Sequence, residues 1–173
     1  MPGDINFCQR CGHRLSERIV EETPRPYCES CGHTVFLDPK VAAVVLVTSG
    51  DNLVLVRRGV EPEMGRWSFP SGFMNRGEVV EDAAKREVKE ETGLDIELNG
   101  LVGIYSSQDS PVVLAVYSAT AIGGTPRAGH DATDVRLFPS DGLPDLPFPH
   151  DGRILEDWRA MVQQSAGGKP GAR

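Results

Sequence analysis

Aromatic side chains make up only 6% of this 173-residue chain, and no apolar run is longer than Val41–Val47. A membrane helix needs ~20 consecutive apolar residues, so that run is strand-sized and no span is expected. The opening MPGDINFC has no apolar core of leader length. The chain therefore reads as cytoplasmic, where thiols stay reduced and its four cysteines are not expected to form disulfides. Basic excess is missing too: 18 Lys and Arg stand against 25 Asp and Glu, for a net charge of −7 and a pI near 5.1. That balance argues against nucleic acid and against a membrane surface as partners. It favours a small molecule whose charge is screened by metal. The length suits one domain with a small appendage, and a homodimer is compatible with it.

What cysteine there is sits in two copies of one pattern. Residues 7–13 read FCQRCGH and residues 27–33 read YCESCGH. Two such knuckles suit tetrahedral Zn²⁺ held by Cys8, Cys11, Cys28 and Cys31, with a redox dithiol or free thiols as the competing reading. With four thiols available, His13 and His33 read as surface residues or donors to sulfur. A ribbon over 5–38 has too few apolar residues to fold alone, so structural zinc is expected to supply much of its stability.

The densest chemistry lies in GFMNRGEVVEDAAKREVKEETGL, residues 72–94. On a helical wheel with Ala84 at zero, Val80 falls at about −40° and Val88 at about +40°, which makes an apolar stripe that must face a core. Glu91 falls inside that stripe at about −20°, Glu87 borders it at about −60°, and Glu90 lies farther out at about −120°. A salt-laced surface helix would explain Glu81 with Lys85 but not Glu91. Carboxylates beside a core need compensating cations, and hard oxygen ligands suit Mg²⁺ or Mn²⁺.

Gly72, Glu78, Arg86-Glu87-Val88, Glu90-Glu91 and Gly93-Leu94 at these spacings resemble the complete signature box of the Nudix hydrolases. The resemblance implies hydrolysis of the diphosphate linkage in a nucleoside diphosphate joined to another group. It also implies Mg²⁺ or Mn²⁺ held by Glu87, Glu90, Glu91 and the Gly72 carbonyl, one glutamate activating the attacking water, and an Arg86–Glu78 pair fixing the loop to the helix. Asp131 and Asp134 resemble the acidic pair that completes the metal site in many relatives, although glutamate is the usual residue there.

The implied fold is α/β, an α/β/α sandwich with a mixed sheet over residues 39–164, plus the small zinc ribbon and a disordered tail at 165–173. Strands are expected at 41–48, 53–58, 95–107, 111–122 and 131–138, a loop at 71–77, and a closing helix at 154–162. The ribbon and the box together are similar to the subgroup that splits ADP-ribose, FAD or NADH. The NADH branch carries a SQPWPFPxS-type motif, whereas this chain has only Leu146-Pro147-Phe148-Pro149. Arg57, Trp67, Phe73 and Tyr105, with Phe148, are candidate substrate contacts, and core packing competes for Trp67. The alternative function is a nucleotide-sensing or RNA- or protein-binding regulator docked through the ribbon, against which stands the intact set of box acids. An isomerase on the same fold would need a further reactive Cys or Glu, and the cysteines are committed to zinc.

Overall fold

Residues 5–108, 110–129 and 131–167 are described in the computed structural model, and the chain divides into two units, Met1–Pro39 and Lys40–Arg173. In the first unit, β1 (Ser16–Val20) and β2 (Thr23–Tyr27) form an antiparallel hairpin. Its two-residue turn is Glu21-Glu22, both at positive φ (51° and 63°). The two knuckles close in the same way: the Cys8 N–H donates to the His13 carbonyl at 2.8 Å, and the Cys28 N–H to the His33 carbonyl at 2.9 Å. In each, a glycine at positive φ (Gly12 at 74°, Gly32 at 70°) donates back to the first cysteine. Only glycine adopts that conformation without cost.

The second unit is built on β3 (Lys40–Ser49), whose apolar run is continuous because both of its faces are covered. It turns back into β4 (Asn52–Arg58), followed by the short β5 (Trp67–Ser68) and β6 (Ser71–Phe73). Then come α1 (Val80–Thr92), the long hairpin of β7 (Leu94–Ser106) and β8 (Val112–Gly124), β9 (Ala132–Pro139) and α2 (Asp151–Gly167). The seven-stranded mixed sheet has the order β5-β4-β3-β8-β7, with β6 on β3 and β9 on β4. β3 and β8 are parallel, from Lys40↔Val112 to Thr48↔Thr120.

Alternation along β3 sorts the two cores. Ala43, Val45 and Val47 pack with Ala83, Ala84 and Val88 of α1. Val44 and Leu46 pack with Ile154 and Trp158 of α2, whose indole N–H donates to Ser118 Oγ at 3.2 Å. Burying each such Val or Leu is worth about 1.5–3 kcal/mol. The helices therefore cover opposite faces of one strand.

Two local expectations are corrected. Residues 71–73 of the expected loop are strand, because Ala42, Ala43 and Val44 pair with Phe73, Gly72 and Ser71 where β4 has left β3. The closing helix starts at Asp151 and runs through Gly167, so it takes in 165–167 of the expected disordered tail; the Ser165 hydroxyl donates to the Met161 carbonyl one turn back. Residues 168–173 of that tail lie outside the described residues. Among the described residues no helix is long and apolar enough to cross a membrane.

Candidate active site

α1 starts without a side-chain cap at Val79, and Glu81 and Asp82 in its first turn favour the positive end of the helix instead. It stops at Gly93, which is at φ 73° and donates to the Lys89 carbonyl. The segment between β8 and β9 satisfies two more terminal carbonyls, with Arg127 N–H on Thr92 and Gly129 N–H on Glu91. This clamps the turn that carries the last two carboxylates.

Glu91 is 8% exposed and its Oε2 accepts the Ser71 N–H at 2.9 Å. Burial pushes its carboxyl up to about 7, against the opposing pull of that N–H. Burial also raises Glu87, whose Oε1 accepts from Arg86 at 2.6 Å. Glu90 differs: its side chain is 60% exposed and reaches the cluster through Arg86 at 3.3 Å. Glu90 thus stands apart from the buried side that holds Glu87 and Glu91, in keeping with its wider angle on the wheel.

Arg86 is the centre of this arrangement. Its Nε and one terminal nitrogen hold Glu78 at 2.7 and 2.9 Å, while that terminal nitrogen also donates to the Phe73 carbonyl at 3.2 Å. The Glu78 Oε2 in turn accepts the Asn75 N–H at 2.7 Å. The Arg86 hydrogen bonds hold the Glu78 carboxyl down at about 2. Arg86 thus ties the 73–78 loop to the helix and partly neutralises Glu87.

Glu87 and Glu91 line a cleft of about 800 Å³. It opens where β3 begins, in the gap left as β4 diverges, and takes side chains from both faces of the sheet. The donor set fits Mg²⁺ or Mn²⁺. Hard oxygens converge there, and a Cβ on Gly72 would run into the Glu87 carboxylate, so only glycine leaves that group its place.

The remaining candidates separate clearly. Asp131 lines the cleft, with its backbone carbonyl accepting from Gly59 at 2.8 Å, whereas Asp134 is turned to Arg136 at 2.8 Å. Phe73 lines the cleft. Arg57, Trp67 and Tyr105 do not. Arg57 donates to the Gly65 carbonyl at 2.8 Å, Trp67 packs edge-on against Phe138, and Tyr105 is buried with its hydroxyl on Asp157 at 2.7 Å. Arg58 takes the place expected of Arg57, stacked over Phe148 at 5.3 Å and lining the cleft. Strand alternation carries that distinction, but the sequence leaves open which parity faces the site. Ser68, Ser107 and His150 also line it, and no sequence pattern singled them out.

In the first unit the four cysteine sulfurs lie within 4.8 Å of one another, a grouping that suits a single tetrahedral ion.

The chain matches the NUDIX domain family over residues 38–158. It is 34% identical over 160 residues to an ADP-ribose pyrophosphatase of Methanocaldococcus jannaschii, covering 90% of this chain and 91% of that protein. It is 35% identical over 149 residues to the NAD-capped RNA hydrolase NudC of Stutzerimonas stutzeri, covering 82% of this chain but spanning only 50% of that protein. Among solved structures, a NUDIX hydrolase from Nitrosomonas europaea superposes with a TM-score of 0.84 at 26% identity, covering 98% of this chain and 97% of the other.

Proposed function

The chain belongs to the NUDIX family, and on that premise we propose that it hydrolyses the diphosphate linkage of a nucleoside diphosphate joined to a second group, with ADP-ribose as foremost substrate and FAD and NADH behind it. The observation that carries the reading is the pairing of Glu87 and Glu91 on the wall of a cleft that also holds Arg58 and Asp131. The 34% identity to an ADP-ribose pyrophosphatase over nine-tenths of the chain supports the substrate order.

Glu87 and Glu91, with Glu90, the Gly72 carbonyl and Asp131 as further candidates, would hold Mg²⁺ or Mn²⁺. Such an ion neutralises diphosphate oxygens and acidifies bound water. Arg86 fixes the helix face against the loop, and Arg58 offers a cation to the phosphates. One of the box glutamates would take the proton from the attacking water. Water adds to one phosphorus, the bridging P–O bond breaks, and the second phosphate leaves. From ADP-ribose the products are AMP and ribose phosphate.

We assign one structural Zn²⁺ to Cys8, Cys11, Cys28 and Cys31, and take the cytoplasm as the compartment of the protein. A NAD-capped RNA belongs in the same substrate test, because NudC relatives bear that name and the acidic balance of the chain does not by itself remove RNA. The test is a hydrolysis screen with Mg²⁺ or Mn²⁺ over ADP-ribose, FAD, NADH, NAD-capped RNA and nucleoside triphosphates, with chromatography of the products. AMP from the ADP-linked compounds at kcat/KM at least about tenfold above any triphosphate supports the reading. Pyrophosphate as the main product would overturn it.

A further inference from the structure

The α2 side of the cleft has its own chemistry. His150, just ahead of α2, is half-buried, and its Nε2 lies 2.8 Å from the hydroxyl of Ser107, just after β7. Both residues line the same cleft as Glu87 and Glu91. The imidazole is held from several directions. Its ring leans on Tyr105 with centroids 6.0 Å apart, and Tyr105 is itself fixed by Asp157. The turn that carries His150 is locked by Asp151, whose Oδ2 accepts the Phe148 N–H at 2.8 Å, while the His150 carbonyl accepts the Ile154 N–H.

A further polar group lines the cleft from the α1 side, because Ser68 pairs with Val56, which shares the parity of Val54 in the α1-facing core. Ser68 lines the cleft, is 2% exposed, and its hydroxyl has no hydrogen-bond partner among the described residues. A buried hydroxyl without a partner is costly and calls for one in the functional state. An exposed Ser–His bond, for its part, adds little to stability. Folding alone therefore gives no strong reason for so tightly oriented an imidazole. What hydroxyls and an imidazole suit is a ligand whose own groups both donate and accept hydrogen bonds, as the vicinal diol of a ribose does.

We propose that His150, oriented by Ser107, is a specificity-determining residue that hydrogen-bonds the hydroxyls of a substrate ribose. This rests on the hydrolase reading above and adds a division of labour to it. α1 brings the carboxylates from one face of β3, and the residues leading into α2 bring sugar recognition from the other.

The experiment compares ADP-ribose with two analogues, one lacking the 2-hydroxyl of the adenosine ribose and one lacking that of the terminal ribose. Wild-type protein, H150A and S107A are assayed with Mg²⁺. The wild type should prefer ADP-ribose over at least one analogue by about tenfold or more in kcat/KM, since a site built around a hydroxyl rejects the compound that lacks it. Both variants should cut that preference to below about threefold, and H150Q should restore part of it. S107A keeps the test valid if H150A fails to fold, because Ser107 is exposed. A clasp that only joins two loops would slow all three compounds alike and leave the preference intact, which would overturn the proposal. If the wild type cleaves none of these compounds, the hydrolase reading fails first; if it cleaves them and both variants keep the preference, the ribose contact alone is wrong.

Discussion

Glu78 and Arg86 face each other through two parallel hydrogen bonds of 2.7 and 2.9 Å. Such a planar pair fixes orientation as well as charge. Its signature should appear in acid. The folded carboxyl titrates at about 2, below its value in an unfolded chain, so the pair's contribution is present above the unfolded pKa and is lost as pH falls toward 2. Urea midpoints of wild type and E78Q, measured from pH 7 down to 3, should lie apart at neutral pH and converge in acid. A constant separation would show that the ionised pair is not the cause.

Glu91 has the opposite sign. Its folded carboxyl is raised to about 7, so whatever this group adds to the metal-free protein is present below its unfolded pKa and lost as pH rises through 7. Against an ordinary value of 4.5, full ionisation costs up to about 3 kcal/mol. E91Q should therefore stabilise metal-free protein at pH 8 and hardly change it at pH 5. The same variant, like E87Q, should lose at least about 10²-fold in kcat, because ligand charge is removed where transition-state charge develops. Near-normal turnover at saturating Mg²⁺ would rule out the assigned site.

Gly72→Ala tests the fit at the carboxylate. The added methyl would meet the Glu87 carboxylate, so the Mg²⁺ concentration for half-maximal activity should rise at least about tenfold, as for other disturbances around metal ligands. Metal titration of activity in G72A gives the answer directly.

Tyr105→Phe separates packing from recognition. With its hydroxyl on Asp157 and the residue 4% exposed, Tyr105 should contribute about 1–2 kcal/mol to stability. KM for ADP-ribose should stay within about twofold, because nothing that contacts substrate is removed. A large KM change with unchanged stability would show that the Tyr105 hydroxyl serves the site, directly or through the His150 ring it supports.

Elemental analysis of protein purified without chelator should find one zinc per chain. C8S and C28S should each lose it, and with it the amide protection of β1 and β2, since the first unit has little else to bury. Protection that survives metal loss would show that the ribbon folds without zinc.

The helix was legible in the sequence because its period is carried by both apolar and acidic residues, and Glu91 inside the apolar stripe had no structural excuse. The cysteine knuckles were legible because spacing alone brings their sulfurs together. Arg58, Ser68 and His150 were not, because each reaches the cleft through tertiary placement. Arg58 depends on which parity of β4 faces inward, and His150 on where a proline-rich segment docks. Trp67 and Tyr105 looked like substrate contacts by residue type alone. Their ring contacts went to Phe138 and to the α2 side.

The fork in the sheet, where β4 leaves β3 and β6 takes its place, is framed by main-chain pairing rather than by movable side chains. The backbone thus sets the floor of the cavity, while loop residues such as Val60, Pro62 and Phe148 complete its lining. Long-range charge then governs the arrival rate. An anionic substrate approaching a protein of net charge −7 meets repulsion that dissolved ions weaken. Stopped-flow association at constant free Mg²⁺ should accordingly quicken as inert salt is added, the reverse of an enzyme that steers its substrate in.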